Sequence, residues 1–278
     1  MKRVSKDKEG NGLQRHVRYW NEYWDKIAGE VLSAGLGGAP EYWNYEDKLQ
    51  KRALIQALKA LNVNLQGRRL LDVGCGNGRL SFWFAERDAY VCGIEVSPQA
   101  ISKAITIRRK NNLNRLDFLL YDGLSFPFRD GSFDIVNMAA VLPAIEKIGL
   151  TERVISEMIR VCKARGLILI LELIKNYPED EYRKLVPEDR LVHLLETNGA
   201  NLVLSRGIYV DRVRFYFHYL SHFKVTWKVL RHFIPVVLRW SELIDEHLIS
   251  FLSKYAEKKL FVFRKMQKCT FLIVPDLV

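Results

Sequence analysis

The run Leu70-Leu71-Asp72-Val73-Gly74-Cys75-Gly76-Asn77-Gly78-Arg79-Leu80 confines this chain more than any other stretch. It reads as a buried strand entering three alternating glycines and then an amphipathic helix. Glycine tolerates positive φ and carries no Cβ, so a strand can turn sharply there and aim backbone N–H groups at a ligand from a helix N-terminus. The spacing is G-x-G-x-G and not G-x-G-x-x-G, which argues against the dinucleotide-binding turn.

The elements that follow repeat the strand-helix alternation. Residues 89–96 read as a second short buried strand ending at Glu95 and Val96, with Glu95 21 positions after Gly74. A carboxylate at the tip of that strand lies where an open parallel sheet holds its ligand, and it can accept from both hydroxyls of a ribose. Residues 99–111 predict a helix, and 116–120 a third strand followed by Tyr121-Asp122-Gly123, where Asp122 can accept from an adenine amino group. A fourth strand, 133–138, ends at Met138 after the turn at 129–132.

Over residues 70–206 the chain resembles the class I S-adenosylmethionine-dependent methyltransferases, particularly the broad small-molecule, lipid and glycan group. Leu-Asp-Val-Gly-Cys-Gly-Asn-Gly at 71–78 matches the first cofactor motif, and Gly-Ile-Glu-Val-Ser at 93–97 the ribose-binding one. Asp122-Gly123 fits the adenine position, residues 127–134 fit the approach to strand four, and residues 160–166 fit the turn before strand five. The resemblance implies S-adenosyl-L-methionine held by Asp72, Gly74, Cys75, Gly76, Gly78, Glu95, Val96, Asp122, Gly123 and Met138. It also implies an α/β, Rossmann-like, seven-stranded and mostly parallel sheet with helices on both faces. Two departures stand out: Ala164-Arg165-Gly166 replaces the usual Gly-Gly turn, and Leu142-Pro143-Ala144 follows strand four where many relatives carry histidine. No histidine base carries over there.

Beyond that core, the order of elements predicts strand five at 167–173, a helix at 187–198 closed by Gly199, and strand six at 201–205. The next strand-like run is 260–266, more than fifty residues later; an alternative register places strand seven near 208–217 with a helical tail. The chain is accordingly divided into an N-terminal arm or lid (1–62), the cofactor-binding core (63–210), a basic aromatic helical cap (211–259), and a last strand with tail (260–278). In the arm, aromatic residues surround Tyr19 and Trp20, the lid candidates for the substrate side, and a Gly/Ala/Pro loop at 35–40 precedes a helix over 46–61.

Charge separates these segments. The formal net charge of +11 arises from residues 1–18, which carry +4, and residues 211–268, which carry +7. Between Lys224 and Arg239, cations interleave with apolar residues at helical spacing, which suits peripheral contact with an anionic membrane surface, packing in the core or a homodimer interface, or, less well, nucleic acid. Four cysteines at 75, 92, 162 and 269 show no metal-ligand or disulfide spacing, so no metal is expected. With 49% hydrophobic residues, no apolar signal-peptide core and no apolar run long enough to span a bilayer, a cytoplasmic location is expected, with or without contact at the membrane surface.

Methyl transfer from a sulfonium is an in-line displacement, so a base that removes the acceptor's proton assists it. Glu172 near the end of strand five, Tyr177 and His193 are the candidates, with His16, His218 and His222 further ones. The expected acceptor is an oxygen or nitrogen of a small hydrophobic, lipid-linked or glycan-type molecule. A tRNA or rRNA methyltransferase is the alternative, and a partner subunit that keeps the fold without turnover is a second. No Asn-Pro-Pro-Tyr follows strand four, which argues against the amine methylation of bases or glutamine that uses that signature.

Overall fold

The computed structural model describes residues 3–26, 40–174, 180–209, 256 and 258–267. Seven strands form one sheet in the order β3-β2-β1-β4-β5-β7-β6: β1 Arg69–Val73, β2 Tyr90–Glu95, β3 Leu116–Leu120, β4 Phe133–Ala139, β5 Cys162–Leu173, β6 Ala200–Tyr209 and β7 Lys258–Lys265. The first five run parallel, while β7 is antiparallel to both β5 and β6. The seven-stranded expectation therefore holds, with the late strand taking the seventh place and not a hairpin near 208–217. It begins at Lys258, two residues before the boundary drawn from sequence.

Side chains alternate across a strand, so each central strand feeds two cores. Leu71, Val136, Ile168, Ile170, Phe261 and Phe263 pack on one face with Ile155 and Met158 of α6 (Thr151–Val161) and Leu191 and Leu195 of α7 (Glu188–Thr197). Their neighbours Leu70, Ile135, Leu167, Leu169, Leu260 and Val262 face the other way, onto Phe82 and Phe84 of α3 (Arg79–Ala85) and Leu54 and Leu58 of α2 (Pro40–Ala60). Burial on both faces explains why these strands read as unbroken apolar runs.

Two boundaries moved for local reasons. Helix α2 starts at Pro40, six residues before the expected start at 46, because proline at a first helical position forfeits only an N–H that has no intrahelical partner. Strand β5 reaches back to Cys162 through the turn at 164–166, with an irregularity opposite Phe133 and Ile135. Arg165 adopts φ 63° there, in the left-handed region that glycine enters without steric cost. The arm is helix α1, Arg3–Lys26, and contacts α4, Pro98–Lys110. The predicted cap at 211–259 lies, apart from 256, 258 and 259, outside the described residues.

Candidate functional site

At the carboxyl end of β1 the chain turns through Gly74 and Gly76, with φ 64° and 56°, and enters α3 with Gly78 as its N-cap. The turn is pinned to β2: the N–H groups of Gly74 and Cys75 donate to the Ile94 carbonyl at 2.9 and 3.1 Å. Glu95 closes it from the side, its Oε2 accepting from Gly76 N–H at 3.1 Å and its Oε1 from Val96 and Ser97 N–H at 2.8 and 3.1 Å. A Cβ on Gly76 would sit 2.7 Å from the Trp24 ring, so the bare turn admits the last turns of α1 above it. Beneath, buried Asp72 accepts from Ser81 Oγ at 2.6 Å and Asn137 Nδ2 at 2.7 Å. Burial raises the carboxyls of Asp72 and Glu95 above the usual range, against those hydrogen bonds.

A cavity of about 210 Å³ opens here, where the strand order reverses between β1 and β4. Of the expected cofactor residues, Asp72, Gly74, Cys75, Gly76, Glu95, Val96 and Gly123 line it. Three do not. Gly78 stands behind the turn against Phe82 and Phe118, and Met138 is fully buried in the core. Asp122 is exposed and accepts from Leu124 and Ser125 N–H at 2.8 and 3.0 Å, so its carboxylate shapes its own turn while Tyr121 and Gly123 wall the cavity. Burial also raises the Tyr121 hydroxyl above its ordinary pKa.

The opposite wall comes from α1, whose residues Leu13, His16, Trp20, Tyr23 and Trp24 recur at helical spacing along one face. Trp20 Nε1 donates to His16 Nε2 at 2.9 Å, and burial pushes the imidazole down to about 4, so the ring is neutral at pH 7 with its proton on Nδ1. Tyr19, the other lid candidate, is not among the lining residues; it stacks on Tyr182 with centroids 3.7 Å apart and 14° between planes. His16, Tyr23 and Trp24 share the helical periodicity of Trp20, and that spacing is the signal in the sequence that sets them on the cavity side.

Of the candidate bases, Glu172 and His16 among the described residues reach the cavity, and His16 has its Nε2 occupied by the Trp20 N–H; Glu172 is the carboxylate of the set. It is 1% exposed at the end of β5, and its Oε1 accepts from Val141 and Leu142 N–H at 2.7 and 2.9 Å. These two residues begin α5, Leu142–Lys147, so the carboxylate caps a helix start while facing the cavity. Burial pushes its pKa up to about 7, against those N–H groups and the field of Lys258. His193 stands exposed on α7, away from the cavity, because its position on that amphipathic helix faces solvent. Tyr177, His218 and His222 lie outside the described residues.

Glu46 of α2 and Lys258 of β7 form a buried ion pair that also lines the cavity, a contact sequence reading missed. Gln50 Nε2 donates to the same Glu46 oxygen at 2.8 Å. Among the described residues no cluster of His, Cys, Asp and Glu is arranged to hold a metal ion, and no helix is long and apolar enough to cross a membrane.

Comparison with known proteins places this geometry. Residues 64–200 match the family described as methyltransferase domain. Norajmaline N-methyltransferase of Rauvolfia serpentina is 28% identical over 190 residues, covering 66% of this chain and 63% of that enzyme. Fatty-acid O-methyltransferase of Mycolicibacterium smegmatis is 28% identical over 154 residues, 54% of this chain and 53% of the relative. The chain thus spans less than two thirds of either relative's length. Magnesium protoporphyrin IX methyltransferase from Synechocystis PCC 6803, solved with bound SAM, superposes with a TM-score of 0.59 at 15% identity, covering 91% of this chain and 97% of that one, a likeness of fold.

Proposed function

Since residues 64–200 form a class I S-adenosylmethionine-dependent methyltransferase domain, we propose that the chain transfers a methyl group to an oxygen or nitrogen of a small, largely apolar acceptor. One observation carries this: a single cavity joins the glycine turn and Glu95 to a wall of rings and aliphatic side chains that ends at a buried carboxylate, Glu172. The turn carries no Cβ at Gly74 or Gly76, where one would strike Val141 or Trp24, and with Gly74, Cys75 and Gly76 lining the cavity it fits S-adenosylmethionine, with Glu95 beside the ribose, Asp72 beneath the turn, and Tyr121 and Gly123 toward the adenine. When bound there, the cofactor supplies an electrophilic methyl on a sulfonium.

The chain's own residues then align and desolvate the acceptor. Val141, Pro143, Ile145 and Ile148 supply an apolar floor, and Trp20 and Tyr23 cover it, so water is displaced from around the nucleophile. Alignment at near-contact distance converts a bimolecular reaction into a first-order one, worth up to about 7–11 kcal/mol of barrier. An acceptor of this size agrees with relatives that methylate either nitrogen or oxygen.

The test is incubation of the purified protein with methyl-labelled S-adenosylmethionine and separated lipid, RNA, protein and small-molecule fractions. Label in the small-molecule or lipid fraction is the expected result, whereas label in RNA would replace this reading with the nucleic-acid one. Glu95→Gln tests the cofactor half. The loss of a charge-assisted acceptor for hydroxyls should weaken S-adenosylmethionine binding by about 1–3 kcal/mol, roughly 5- to 150-fold in titration calorimetry. An unchanged dissociation constant would remove Glu95 from the ribose.

A further inference from the structure

The charges around the cavity do not balance, and the imbalance bears on the acceptor. Among the described residues three cations line it, each engaged by a carboxylate: Arg79 by Asp47, Arg183 by Asp180, and Lys258 by Glu46. His16 is neutral, its Nε2 occupied by the Trp20 N–H. Asp72 and Glu95 belong to the glycine-turn end, where hydroxyl and amide groups hold them. At the acceptor end stands Glu172, bonded to the backbone N–H groups of Val141 and Leu142 and not to a cation among the described residues. The cation whose field reaches it, Lys258, is bonded to Glu46. Among the described residues, the lining of this chamber thus carries an excess of carboxylate, beside the rings of Trp20 and Tyr23.

A buried carboxylate in a chamber that also holds aromatic rings favours a guest that brings a positive charge and apolar surface together. We propose that the acceptor is a hydrophobic amine that enters as its ammonium, sits against the aromatic face of α1, and gives its proton to Glu172 before methylation; this rests on the methyltransferase reading above.

The step balances. The ammonium N–H bond breaks with its electron pair left on nitrogen, and the proton joins the Glu172 carboxylate. The freed lone pair forms the N–C bond to the methyl while the C–S bond breaks and its electrons return to sulfur. Positive charge passes from sulfonium to the methylated nitrogen, and Glu172 releases its proton to solvent as product leaves. Burial, which raises the proton affinity of Glu172 to about 7, narrows the gap between it and a desolvated ammonium. An alcohol gains no ion pair here, and a carboxylate is repelled.

Three probes of matched shape decide it: 4-phenylcyclohexylamine, 4-phenylcyclohexanol and 4-phenylcyclohexanecarboxylate. Each is presented to the full chain with methyl-labelled S-adenosylmethionine, and its binding is measured separately in the presence of S-adenosylhomocysteine. The expected result is binding of the amine at least tenfold tighter than the alcohol, with label on nitrogen alone. Its transfer rate should rise with pH through about 7, as Glu172 ionises. Glu172→Gln should lower transfer to the amine by about 100-fold or more and flatten that pH profile, while leaving S-adenosylhomocysteine affinity within twofold. The amide oxygen still accepts from the two backbone N–H groups, so the turn is retained. Equal or undetectable binding of the three probes, preferred methylation of the alcohol or carboxylate, or a Glu172→Gln variant with unchanged rate would overturn the amine assignment. Failure to bind S-adenosylhomocysteine at all would instead overturn the methyltransferase reading itself, along with the proposal built on it.

Discussion

Replacing Lys258 with methionine is expected to destabilise the fold by about 3–5 kcal/mol, because it leaves the Glu46 carboxylate buried without its cation. Lys258 is 3% exposed and Glu46 6%, so water cannot screen the orphaned charge. Gln50 still donates to Glu46, but a neutral amide offsets little of the lost ammonium. The double variant Lys258→Met/Glu46→Met should recover most of the loss, since an apolar pair of similar volume is often neutral against a buried ion pair. Gln50 would then keep its contact with Arg79, whose guanidinium donates to Gln50 Oε1 at 2.7 Å. Chemical denaturation of the wild type, the single variants Lys258→Met and Glu46→Met, and the double variant measures the cycle. A single Lys258→Met loss under about 1 kcal/mol would mean that the pair behaves as a surface one.

That pair also shows where sequence reasoning reaches its limit. Its partners lie 212 positions apart, and no local spacing announces them. In the sequence, Lys258 and Lys259 are part of a basic surplus suited to solvent or an anionic surface. In the fold they are consecutive residues of a strand and so point to opposite faces. Lys258 meets Glu46 of α2 on one side, and Lys259 meets Glu188 of α7 on the other at 2.7 Å. The cofactor end, by contrast, is local. The glycine turn, Glu95 and the strands that carry them are legible because periodicity and turn chemistry act over a few residues, and β3 falls at 116–120 as read. Asp122 has a second use that the sequence also allows, since an Asp beside a Gly serves its own turn, and its Oδ1 accepts there from Leu124 and Ser125 N–H. The rest of the cavity is assembled from residues 13–24, 46–50, 141–150, 172 and 258, which meet only when the sheet is built.

The second large effect is expected at the turn itself. Gly74→Ala should cost about 2–5 kcal/mol of stability and weaken S-adenosylmethionine binding by at least tenfold. Two terms add. Gly74 sits at φ 64°, where an L-residue loses about 1–2 kcal/mol. Its Cβ would also lie 2.4 Å from Val141 Cγ2 and 3.2 Å from Cγ1, and overpacking of this kind costs about 1–3 kcal/mol. Val141 has little room to yield. Its β-branched side chain is stiff at χ1, its N–H is held by Glu172, and the preceding Ala140 already occupies φ 59° with its N–H on the Leu171 carbonyl. The strain should therefore pass into the glycine turn, displacing Gly74, Cys75 and Gly76, which line the cavity. Adding Val141→Ala to Gly74→Ala separates the terms: relief of the clash should return about 1–3 kcal/mol, and the backbone cost should remain. Denaturation midpoints report the stability and titration calorimetry the affinity. A Gly74→Ala protein as stable as wild type would show that the post-β4 turn moves freely, and the coupling drawn between Glu172, Val141 and the glycine turn would fall with it.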